Sequence, residues 1–162
     1  MVEWYKKVVF ENYANFNGRA RRTEYWNFVL MNIIINILLS ILDRILGFNY
    51  GGNSGVLSTI YSLFIILPSL AVATRRIHDI GKSGWWIFAF YFLFTIICGI
   101  LLMQTLTGKV GTISIIISLF FLLVVFIWLI VLLATNGQEG TNEYGLDPKG
   151  NFDEEIAEIG KE

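Results

Sequence analysis

One short segment holds most of the side chains able to do chemistry: Arg75-Arg76-Ile77-His78-Asp79-Ile80-Gly81-Lys82-Ser83-Gly84-Trp85-Trp86. It brings the only histidine, an aspartate, three cations and two tryptophans into twelve consecutive residues. A His–Asp pair can move protons, because imidazole titrates near neutrality. Adjacent residues on a helix point about 100° apart, however, so His78 and Asp79 need not touch. No serine, cysteine or second acid is placed by sequence as a nucleophile, which leaves His78 and Asp79 weak catalytic candidates and a structural role the preferred one. Asp79 is expected to pair with Arg75, four residues earlier, if the helix continues through them.

Two other chemistries are excluded. Gly81-Lys82-Ser83 lacks the glycine that a phosphate loop requires five positions earlier, where Arg76 stands. One histidine and the single Cys98 fall short of the three or four ligands of a zinc site. No metal, cofactor or nucleic-acid partner is expected. Arg75, Arg76 and Lys82 suit headgroup phosphates. Ser83 is a candidate N-cap for the following helix, and Trp85-Trp86 fit an interfacial aromatic belt.

The elements carrying this segment are membrane spans. Of 162 residues, 55% are hydrophobic and 15% charged, with mean hydropathy +0.61, against about a quarter charged in a soluble domain. Spanning needs about 20 apolar residues, and four stretches qualify, at about 25–45, 56–74, 85–106 and 112–134. The expected fold is an all-α four-helix membrane bundle. Residues 1–23 form a cytoplasmic interfacial segment, 24–134 the membrane domain, and 135–162 an acidic cytoplasmic tail. No cleavable signal is read at the N-terminus. Lysine and arginine crowd the N-terminal segment and the second link, while the first link has none within it and the third has Lys109 alone. The positive-inside rule then places both termini and the Arg75–Trp86 link in the cytoplasm, in a plasma membrane.

Residues 3–16 read as an amphipathic helix, with Trp4, Tyr5, Val8, Val9, Asn12 and Phe16 on one face and Glu3, Lys7 and Glu11 opposite. Asn17-Gly18 makes a turn before Arg19, Arg21 and Arg22. In the first span Asn32, Asn36, Ser40 and Asp43 share one face. Interhelical hydrogen bonding is preferred for this stripe over a solute path. Ser62 and Ser69 of the second span are placed to meet it, and Pro68 should kink that helix. The tail carries eight acidic and two basic residues. It is expected to make turns over Gly137–Pro148 and to be solvated from 152 onward.

Three segments resemble the signatures of domain-of-unknown-function family 805, small bacterial inner-membrane proteins. They are Phe16-Asn17-Gly18-Arg19-Ala20-Arg21-Arg22-Thr23-Glu24-Tyr25-Trp26, the Arg75–Trp86 segment, and Gly140-Thr141-Asn142-Glu143-Tyr144-Gly145-Leu146-Asp147-Pro148. The resemblance implies a multi-pass membrane protein and brings no activity with it. It also puts all three signatures on the side assigned to the cytoplasm. Arg19, Arg21, Arg22 and Glu24 are therefore expected to meet Arg75, Arg76, His78 and Asp79, with Asn142, Tyr144 and Asp147 closing over them.

The leading expectation is a non-enzymatic module that binds anionic lipid headgroups, or a cytoplasmic protein partner, through this polar face. The runner-up is a solute or ion transporter using Asn32, Asn36 and Ser40. A third reading is an enzyme acting on a lipid headgroup or isoprenoid phosphate. Oligomeric state is not legible.

Overall fold

The computed structural model describes residues 1–48, 55–108 and 111–150. The interior of the first link, Lys109 and the terminal acidic stretch 151–162 lie outside the described residues. Helix α1 (Val2–Lys6) runs into a π-helical turn (Lys7–Glu11), and four long helices follow: α2 (Arg22–Leu46), α3 (Val56–Asp79), α4 (Trp85–Leu106) and α5 (Thr112–Ala134). Each of α2 to α5 is long and apolar enough to cross a membrane. Two of them extend beyond the expected spans, α2 starting at Arg22 and α3 reaching Asp79. Helix α3 continues through Pro68.

Helix α3 is the hub, packing against α2, α4 and α5, while α4 and α5 pair with each other. Phe90 stacks on Trp128 with ring centroids 4.7 Å apart, and Trp86 meets the same ring edge-on. Large apolar side chains such as Leu38, Phe92 and Phe120 stay exposed, as expected where lipid rather than protein covers them.

The N-terminal helix does more than lie on a surface. It ends at Glu11, and Val8 and Val9 are buried with Phe28 of α2 and with Ile65 and Val72 of α3. Phe10 points away, 75% exposed. Tyr13 packs on Phe64 and donates to its carbonyl at 2.7 Å, because the chain has already turned out of the helix.

The polar stripe of α2 faces α3. Asn32 Oδ1 accepts from the Tyr61 hydroxyl, and Asn36 Oδ1 from Ser62 Oγ at 3.4 Å. Asp43 is fully buried at the far end of the bundle. It accepts the Leu57 and Ser58 amides at 2.9 Å each and the Ser58 hydroxyl at 2.8 Å. These amides open α3 and have no partner in their own helix, so Asp43 caps a neighbouring helix. Ser69 instead bonds back to the Ile65 carbonyl at 2.7 Å.

Candidate functional site: a locked polar end

The N-terminal segment, the α3–α4 turn and the chain after α5 gather at one end of the bundle. Helix ends explain the need for contacts there. The last carbonyls of α3 and α5 have no partners within their own helices, and close to a membrane water supplies few. Arginine guanidinium groups and loop amides supply the donors instead.

At the end of α5, Arg76 Nε donates to the Leu133 carbonyl at 3.0 Å, Arg76 Nη2 to Thr135, and Arg22 Nη1 to Ala134 at 3.2 Å. At the end of α3, the Gln138 amide donates to the Asp79 carbonyl at 2.8 Å and Asn142 Nδ2 to the His78 carbonyl at 2.9 Å. The Ala20 amide reaches the Arg75 carbonyl at 3.0 Å. Gly81 (φ +71°) then closes α3: its amide bonds His78 and the Lys82 amide bonds Ile77. That pairing is a left-handed glycine stop, so Gly81-Lys82-Ser83 ends a helix. Ser83 Oγ accepts from the Trp85 amide at 3.4 Å, one position outside the cap of α4.

Two carboxylates organise the charges. Asp79 is paired with Arg19 at 3.0 Å and with Arg76. Glu24 is paired with Arg75 at 2.9 Å and with Lys7 at 3.1 Å. Asp79 thus takes Arg19 and Arg76 in place of the expected Arg75, which turns to Glu24. Arg19 also donates to the carbonyls of Gly140 (2.6 Å) and Gln138, fastening the C-terminal segment to the N-terminal one. Arg19, Arg75 and Arg76 are 9%, 3% and 0% exposed. Charges so deep are tolerable only when paired and hydrogen-bonded. Arg75 retains buried Nε and Nη2 atoms without a protein partner. These three arginines are enclosed by protein groups.

His78 is half-buried, with Nδ1 at 3.2 Å from the Gly18 carbonyl. Its ring lies flat on Tyr144, centroids 3.9 Å apart and planes 4° apart. Asp147 makes a turn of its own, accepting the Lys149 amide at 2.9 Å and the Gly140 amide at 3.1 Å. Those amides, Lys149 first, hold its carboxyl below the usual carboxylate range despite an opposing desolvation effect. The series of turns over 137–148 thus packs on His78 and Asp79. Gly137 lies so close that a Cβ there would strike the Asp79 carboxylate.

The structure brings Arg19, Glu24, Arg75, Arg76, His78, Asp79, Asn142 and Tyr144 into this assembly. Lys82 lies apart, 5.3 Å from the Trp86 ring centroid, and Trp85 is exposed. Arg21 and Arg22 border a cleft of about 300 Å³ with Thr23, Gln138, Glu139 and Lys149. Asp79, Asp147, Gly137 and Pro148 complete its lining. Lys7, Gly137, Gln138, Glu139 and Lys149 were not among the site residues expected from the sequence. Lys7 sits on the charged face of an amphipathic helix, which reads as solvated, and Gln138 meets Asp79 and Arg19 through its backbone, which leaves no signal.

Comparison with known proteins agrees with the three signatures. Residues 13–146 match the family described as "Protein of unknown function (DUF805)". The chain is 37% identical over 150 residues to inner membrane protein YhaH of Escherichia coli (strain K12), covering 91% of this chain and 98% of the relative. It is 34% identical over 150 residues to inner membrane protein YhaI of the same strain, covering 91% and 97%. No solved structure matches at a significant level. With all three signatures meeting at one end of four membrane-length helices, and the family match running from before the first signature into the third, the chain belongs to the DUF805 family of inner-membrane proteins.

Proposed function

We propose that the protein is a non-enzymatic membrane module that holds the phosphate of a lipid headgroup at its polar end. The cleft between Arg21, Arg22 and Lys149 carries this reading. Its volume lies at the lower end of the range for small-ligand sites. Its cations belong to a different set from the enclosed arginines: Arg22 and Lys149 are exposed, and Arg21 is half-exposed. The ion-pair network beneath holds the cleft walls in register, because Asp79 and Gln138 contribute both to the network and to the lining. The excess of lysine and arginine on this side favours the cytoplasmic leaflet.

The alternatives have less support. Asn32 and Asn36 are hydrogen-bonded across the α2–α3 seam, which serves helix association more directly than a solute path. Asp79 is paired with two arginines and His78 is held against Gly18 and Tyr144, which favours a structural role for these two residues.

The purified full chain, equilibrated with mixed phospholipids and diacylglycerol, tests the reading by native mass spectrometry. Retained phospholipid that falls on Arg22→Ala, with little diacylglycerol, is expected. Equal retention of diacylglycerol, or indifference to Arg22→Ala, would overturn it.

A further inference from the structure

The same cleft is lined by carboxylates as well as cations. Glu139 and Asp147 face it alongside Arg21, Arg22 and Lys149, while Asp79 is already matched by Arg19 and Arg76. Both Asp147 oxygens accept backbone amides, and each retains acceptor capacity for another donor. A purely anionic headgroup would bring negative charge up to these two acids. A headgroup with phosphate and ammonium together would satisfy both signs.

The cleft adjoins a second space, with which it shares two lining residues. Arg22 and Thr23 line it and equally line a groove of about 420 Å³ with Trp26, Asn27, Leu30 and Ala134. This groove follows α2 from its first turn towards the apolar span, opposite the end of α5. Helices α2 and α5 make no extensive contact there, and Trp26 and Leu30 are exposed. Arg22 therefore borders both spaces, with Glu139 and Asp147 on the cleft side and Trp26 and Leu30 on the groove side. Ammonium, phosphate, glycerol and acyl chain follow one another in that order in an aminophospholipid.

We propose that the cleft and groove together form a site for a phospholipid bearing a primary ammonium, with its phosphate at Arg22, its ammonium at Glu139 and Asp147, and its acyl end leaving between α2 and α5. This rests on the headgroup reading above and adds the class of lipid. Primary ammonium offers three N–H donors to the carboxylates, whereas a trimethylated nitrogen offers none. Charge-assisted bonds of that kind correspond to about a tenfold preference.

The test presents the full-length protein with equimolar phosphatidylethanolamine, phosphatidylglycerol and phosphatidylcholine of identical chains, and native mass spectrometry reads retention. Phosphatidylethanolamine is expected to exceed each of the others about tenfold. Arg22→Ala should lower all three. Glu139→Gln, at an exposed position, should reduce only the preference for the primary amine, and matched unfolding temperatures will confirm intact folds. Phosphatidylglycerol held as well as phosphatidylethanolamine, still dependent on Arg22, would overturn the amine selectivity and leave the headgroup reading standing. Retention indifferent to Arg22 would overturn both.

Discussion

The α2–α3 pair and the α4–α5 pair have similar lengths and hydropathies suited to a membrane, yet they are held by different forces. Helices α2 and α3 are stitched by Asn32–Tyr61, Asn36–Ser62 and Asp43–Ser58, and by Glu24–Arg75 at the charged end. Helices α4 and α5 meet through rings, Phe90 and Trp86 against Trp128, and among the described residues Gln104 accepts from Ser114 at 3.0 Å. Apolar packing is not driven by water inside a bilayer, so directional bonds fix partner and register where van der Waals contact alone does not. The lesson is that the first pair, with the segments pinned to it, is a hydrogen-bonded frame, whereas the second pair is a mostly apolar wall.

Breaking the frame should cost most at Asp79. Asp79→Ala leaves Arg19 and Arg76 buried without their carboxylate, and is expected to destabilise the protein by about 3–5 kcal/mol, read by equilibrium unfolding in mixed micelles. Glu24→Gln keeps shape but weakens the bond to Arg75, and should cost about 1.5–3 kcal/mol in the same assay. Removing one stitch in the seam, Asn36→Leu, should cost about 0.6 kcal/mol.

A smaller, local effect is expected from pH. The folded carboxyl of Asp147 lies below its unfolded value. Its contribution to the 138–150 turns is therefore fully present above about pH 3.9 and is lost as pH falls through the lowered value. Protection of the Gly140 and Lys149 amides, corrected for intrinsic exchange, should fall over that acid window and stay constant above it. The contrasting wall should register almost nothing: Phe120→Leu, at an exposed position on α5, is expected to fall within about 0.5 kcal/mol of the parent. A loss comparable to that of Glu24→Gln would erase the distinction between the pairs.

Much of this frame was legible in the sequence. Charge-poor stretches located the spans, and the four-, four- and three-residue steps from Asn32 to Asp43 put the polar stripe on one face. The three signatures pointed to a single polar end. Individual partners were not legible. Arg75 and Arg76 are neighbours of identical type, and only their 100° separation on α3 sends one to Glu24 and the other to Asp79. The local Arg75–Asp79 pairing lost to Arg19, which lies sixty residues away in sequence. Nor does any pattern reveal that Gly137 must lack a side chain. That requirement arises from its approach to Asp79, which exists only once α5 has ended beside α3.

The central claim is that the three signature segments close on one another in the membrane-embedded protein. Cysteines replacing His78 and Tyr144, in a Cys98→Ser background, test it most directly. A short thiol crosslinker is added to native membranes, and the chain is then cut at a protease site engineered between α4 and α5. The 3.9 Å stack of the two rings predicts that the fragments remain joined on a denaturing gel until the crosslink is cleaved. Fragments that separate despite full thiol modification would contradict the locked end.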